Sequence, residues 1–278
     1  MTVVAVLGDG ATTSTVALAA GWPTADQVVV VETDRRGGSL AAWLDVPLSP
    51  SLSTVVATLH GAGGGRDAST PWSTIEPLVR RAPSGIRFVP APFRAREAGR
   101  AILEAERHLV PLLAQRGDVV ALADCGRPAV VDEVSGVVDH AAAVVVCHRQ
   151  ETASAAAASV RVERLAEQLA SLRDRGARVV LAVIGEEPFA GDEIARFVGP
   201  EVSWRPLAAD PLAAAVLAGR RGVSPRRLAR LPLLRTAAQI ADDVRTAATT
   251  ATTATATTTA TTATTASAAT TASAGWHR

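Results

Sequence analysis

Val3-Val4-Ala5-Val6-Leu7-Gly8-Asp9-Gly10-Ala11-Thr12-Thr13-Ser14-Thr15 is the stretch that decides the fold. A β-branched apolar run stops at Gly8, Gly-Asp-Gly forms a sharp turn, and Ala11 with its hydroxyl neighbours leads into Ala17-Leu18-Ala19-Ala20. A strand, a glycine turn and a helix N-terminus in that order build an anion cradle. The glycines let backbone N–H groups approach a phosphate, and the helix start adds unpaired N–H groups and its positive dipole end. The usual cation of such a loop is missing: the chain contains no lysine, and all 28 of its basic residues are arginines. A phosphate loop of the G-x-x-x-x-G-K-[ST] type uses lysine to reach the β- and γ-phosphates.

The rest of the chain repeats the alternation. Apolar runs over Val28–Glu32, Ile86–Pro90, Asp118–Asp124, Ala141–Cys147 and Arg178–Ile184 suit strands buried on both faces, and Val202–Arg205 is a short further candidate. Helical patterns fill the gaps over Ser39–Val46, Ser51–His60, Trp72–Ala82, Arg94–Arg116, Glu151–Arg175, Pro188–Val198, Asp210–Gly219 and Leu228–Arg245. Gly61–Ser69 reads as a glycine-rich surface loop, and Pro71 stands where a helix begins. Six or seven strands alternating with helices predict one α/β domain over residues 1–245. This is a single doubly wound, mostly parallel sheet flanked by helices. In such sheets the ligand lies at the carboxyl ends of the strands, and Gly8–Thr13, Glu32–Asp34 and Asp124–Arg127 all fall there. Residues 246–274 are almost pure Ala and Thr, a composition that predicts a disordered low-complexity tail over 246–278.

Composition narrows the function. A net charge of +1 gives no global field toward nucleic acid or membrane. The opening MTVVAV has no basic segment ahead of a long apolar run, and no stretch approaches the length of a membrane span. Cys125 and Cys147 have no metal-binding spacing, so buried thiols in a reducing cytoplasm are expected. Arg220–Arg235 carries six arginines and no acid. It is a solvated surface by default and, as the alternative, a weak contact for nucleic acid or another anionic surface.

Taken together, these segments resemble the MinD/ParA group of P-loop ATPases, whose loop runs K-G-G-x-G-K-T-T. Gly8-Asp9-Gly10-Ala11-Thr12-Thr13 is similar to its G-x-G-K-T-T part, with Ala11 where the lysine stands and nothing in place of the group's signature lysine. Glu32-Thr33-Asp34-Arg35-Arg36-Gly37-Gly38 resembles the group's D-x-D-P-x-G-G, with Arg35 in place of proline. Leu122-Ala123-Asp124-Cys125-Gly126 resembles its Walker B strand end, and Pro206–Pro211 resembles the L-P-x-D-P loop near the adenine. A lysine-free actinobacterial MinD-like subgroup, often associated with pilus-assembly or secretion ATPases, looks most similar.

The resemblance implies an ATP and Mg2+ site. Gly8, Asp9, Gly10, Ala11, Thr12, Thr13, Asp210 and Pro211 would line the nucleotide, and Thr12, Asp34 and Asp124 would hold the metal. Glu32 and Asp34 would serve the attacking water, and Arg35 and Arg36 would supply phosphate countercharge as bidentate donors. Without the lysine, slow or absent turnover is expected. The first reading is therefore a degenerate nucleotide-binding regulator or scaffold, cytoplasmic or held at a membrane by others, working through a protein partner or a homodimer. A functional ATPase that switches by dimerising is the alternative. A second alternative is a nicotinamide-dinucleotide oxidoreductase, in which Gly8-Asp9-Gly10 forms the turn and Glu32 binds a ribose.

Overall fold

The computed structural model describes residues 3–23, 27–61, 72–150 and 154–248. Its centre is an eight-stranded sheet in the order β3-β4-β2-β5-β1-β6-β7-β8. The strands are β1 (Val3–Gly8), β2 (Gln27–Glu32), β3 (Arg80–Arg81), β4 (Arg87–Val89), β5 (Val119–Asp124), β6 (Ala141–Arg149), β7 (Val179–Ile184) and β8 (Ser203–Pro206). All neighbours are parallel except the β3–β4 edge pair. The expected mostly parallel architecture is the observed one.

The uninterrupted apolar strands are explained by cover on both faces. In β1, Val3, Ala5 and Leu7 enter one core while Val4 and Val6 enter the other. The first core lies under α3 (Leu52–Gly61), α5 (Ala95–Gln115), α6 (Ser135–Val138), α7 (Ala155–Asp174) and α8 (Gly191–Val198). The second lies under α1 (Ala11–Ala20), α2 (Leu40–Trp43), α9 (Pro211–Leu217) and a last helix, α11, over residues 232–248. Ile102, Leu109 and Leu113 form the buried stripe of α5, as their spacing predicts.

Two expectations need correction. The helix expected over Trp72–Ala82 stops early: α4 spans Trp72–Ile75, a 3-10 turn covers Glu76–Leu78, and Arg80–Arg81 joins the sheet. Pro77 sits in that 3-10 turn, and Val79 is already extended. The helix expected from Leu228 is two pieces, α10 (Pro225–Leu228) and then α11, which opens at Pro232 and runs three residues beyond the expected boundary at 245. Val244 and Ala248 are buried along it. The glycine loop over 62–69, Pro71 and the tail from 249 lie outside the described residues.

Candidate functional site

Register brings the motif ends together. Glu32 pairs with Asp124 across β2–β5, Val6 with Asp124 across β5–β1, and Gly8 with Cys147 across β1–β6. The turn after β1 is tight. Gly8 has φ +104°, and a Cβ there would lie 2.2 Å from the Cys147 carbonyl oxygen, so only glycine fits. The Gly8 N–H donates to the Gly126 carbonyl and the Asp9 N–H to that of Cys147, both at 2.8 Å. These two N–H groups are committed to the sheet and not to a phosphate. Gly10, left-handed at φ 80°, caps α1 with no side-chain bond, leaving the first-turn N–H groups of Ala11, Thr12 and Thr13 for an anion.

Charge at the turn comes from residues the motifs do not mark. The Asp9 carboxylate is held by Arg127, whose Nε lies 3.1 Å from Oδ1, and by Arg161 from α7 on Oδ2. The Arg149 guanidinium, at the end of β6, packs 3.3 Å from where a Gly10 Cβ would stand. Arg149, Gly10, Thr13, Ser14, Asp210 and Pro211 line a cavity of about 170 Å³. Asp210 caps α9 by accepting from the Ala213 N–H at 2.9 Å, while its Oδ2 is buried without a partner. A larger cavity, about 710 Å³, lies at the opposite, amino ends of β2 and β4.

Asp124 is fully buried at the end of β5. Its Oδ1 accepts from the Gly126 N–H at 3.1 Å, and among the described residues its Oδ2 has no hydrogen-bond partner. Desolvation pushes its pKa up to about 7; the nearby Thr12 hydroxyl opposes this without closing a bond to Oδ2, and Glu32 and Asp34 add to the rise. An orphaned buried oxygen on a carboxylate that the Thr12 hydroxyl approaches suits a hard divalent cation such as Mg2+.

The other predicted residues are committed elsewhere. Glu32 is buried, its Oε1 accepting from the Ser39 and Leu40 N–H groups at 2.6 and 2.8 Å and its Oε2 from Ala91 at 2.9 Å. Burial raises its pKa, the three backbone donors lower it, and the Asp34 charge raises it. The expectation that Glu32 serves an attacking water therefore does not fit its geometry. Nor does the expectation that it binds a ribose, which removes the support for the dinucleotide reading. Asp34 lies against Gly126, but its Oδ1 accepts from Arg36 N and Nε and its Oδ2 from Arg36 Nη2. Arg35 is paired with Glu106 at 2.9 and 2.7 Å. Neither arginine is the free phosphate donor expected of it, and both Asp34 oxygens are engaged by Arg36. Burial pushes the Cys125 and Cys147 thiols up to about 12, as suits inert core sulfurs.

No helix among the described residues is long and apolar enough to cross a membrane. No family model matches the chain, and no curated protein matches it significantly. Solved structures do match in fold. A ParA family ATPase from Chlorobium tepidum TLS aligns over 86% of this chain and 97% of its own, at 14% identity and a TM-score of 0.63. The septum site-determining protein MinD of Pyrococcus horikoshii OT3, complexed with Mg-ADP, aligns over 87% and 94%, at 14% identity and TM-score 0.58. The MinC:MinD cell division complex of Aquifex aeolicus aligns over 88% and 96%, at 14% identity and TM-score 0.57. The fold is thus that of the ParA/MinD-type nucleotide-binding ATPases.

Proposed function

We propose that this protein is a degenerate relative of the ParA/MinD ATPases that binds Mg-ATP weakly, turns it over slowly or not at all, and acts as a regulator through a protein partner or a second copy of itself. The observation that carries this is the Thr12–Asp124 pair with its unpartnered buried Oδ2, at the mouth of a helix N-terminus. In this reading Thr12 and Asp124 would hold Mg2+, which would supply countercharge to the phosphates. The α1 N–H groups and Arg149 would face the phosphates, and the unpartnered Asp210 Oδ2 in the same cavity would be free to accept from the base.

Weak binding follows from the same geometry. Two loop N–H groups are already bonded, Asp9 places a carboxylate in the turn, and about 170 Å³ is below the roughly 300 Å³ at which pockets begin to enclose a whole ligand. Poor turnover follows because Ala11 offers no cation for the transferring phosphoryl group and Glu32 is bonded to backbone.

The test is Mg-ATP titration of the full chain by calorimetry, with phosphate release followed in parallel and Thr12→Ala as control. Weak, magnesium-dependent binding that is lost in the control, without steady phosphate release, is expected. Steady turnover would favour the dimerising ATPase instead. No binding at millimolar nucleotide would leave a scaffold with no nucleotide ligand.

A further inference from the structure

Away from the nucleotide-facing end, the last turn of α3 meets the middle of α5 at the surface. His60 comes from α3, and Glu104 and His108 from α5, one helical turn apart on one face. We propose that these three side chains form a binding site for a divalent transition metal of the zinc, cobalt or nickel class. The His60 Nε2 lies 3.3 Å and the His108 Nε2 3.7 Å from the same oxygen, Glu104 Oε2. One ligand atom from each of the three lies within 4.8 Å of the others. A tetrahedral ion with ligands at about 2.1 Å holds them about 3.4 Å apart, so the Glu104 edges already have the right length. Only a small closing of the two rings, now edge to face at 5.0 Å between centroids, completes the third edge.

The carboxylate is prepared for one-point ligation. Arg107 takes its other oxygen, Oε1, at 3.0 Å, which orients the group and leaves Oε2 to the metal. Two imidazoles and one carboxylate select borderline metals over Mg2+ and Ca2+, which prefer oxygen ligands. The side chains are 45%, 32% and 23% exposed, so the fourth position opens to water. A bound ion would clip α3 to α5, two residues from Glu106, which holds Arg35.

The experiment uses the full chain stripped with chelator and titrated with Zn2+ by calorimetry, then with Co2+ by visible absorption. Expected are one ion per chain at this site, the intense visible bands of tetrahedral cobalt, and a rise in Tm with added Zn2+. His60→Ala and His108→Gln should each weaken binding by at least about tenfold and abolish the cobalt bands, whereas His140→Ala should leave both intact. Overlapping circular dichroism spectra of the variants would show that the loss is not unfolding. No binding at about 0.1 mM Zn2+, or binding unchanged in both His60→Ala and His108→Gln, would reduce the cluster to a surface ion pair and overturn the proposal.

Discussion

Arg35 sets one guanidinium nitrogen, Nη2, between both carboxylate oxygens of Glu106, at 2.9 and 2.7 Å, and so ties the loop after β2 to α5. Glu106 is 8% exposed and Arg35 37%, so the carboxylate is desolvated while its cation still reaches water. Removing the arginine leaves a buried carboxylate without its cation, which costs far more than breaking a surface pair. Arg35→Ala is expected to lower stability by about 2 kcal/mol and to leave Mg-ATP affinity nearly unchanged. Urea unfolding and calorimetry on the same preparation check both halves. A large loss of affinity with intact stability would return Arg35 to the phosphate.

Asp124 gives the stability a pH dependence of defined sign. Its folded pKa, about 7, lies above its ordinary value of 3.8, so the folded state holds a proton that the unfolded state has released. Its contribution is therefore favourable below about pH 4 and is lost as pH rises toward 7. Asp124→Asn should unfold like wild type near pH 4 and be more stable by on the order of 2 kcal/mol at pH 8. Denaturant titrations at the two pH values measure the gap, and a gap that does not widen with pH would contradict the assignment.

Asp9 sets a negative group in the turn and engages Arg127 and Arg161. Asp9→Ala should tighten Mg-ATP binding severalfold, roughly 1 kcal/mol, because the repulsion goes and Arg127 loses its carboxylate partner. Weaker binding in this variant would mean that Asp9 orders the cradle and does not block it.

Gly8 has no room for a side chain. Gly8→Ala would force a methyl group to 2.2 Å from the Cys147 carbonyl oxygen at a φ that disfavours L-residues. A loss of at least about 3 kcal/mol is expected, read as a fall in Tm. Gly61, with nothing within 4 Å among the described residues, is the control: Gly61→Ala should stay close to wild type.

Most of the architecture was legible because buried parallel strands announce themselves as unbroken apolar runs. The carboxyl ends of β1, β2 and β5 converge as the motif order implies. The site was less legible. Arg127, Arg149 and Arg161 reach the turn through tertiary placement from the segment after β5, β6 and α7 in turn, and only the strand-end positions of Arg127 and Arg149 hinted at it. Arg35 and Arg36 looked free because Glu106 is 71 residues from the first and nothing local shows that Asp34 folds back onto the second. Trp72–Ala82 misled because Pro77 follows the first turn closely enough to redirect the chain into an edge strand.

Glu32 joins three segments with one carboxylate: the end of β2, the start of α2 and the exit from β4. An acid so placed is a rivet of the architecture, and its upkeep does not depend on any reaction. A lineage that abandoned hydrolysis would still discard chains that lost this residue. The acidic motif after β2 would then outlive the chemistry it advertises, and a search that scores it as catalytic would mistake the scaffold's joinery for an enzyme's machinery.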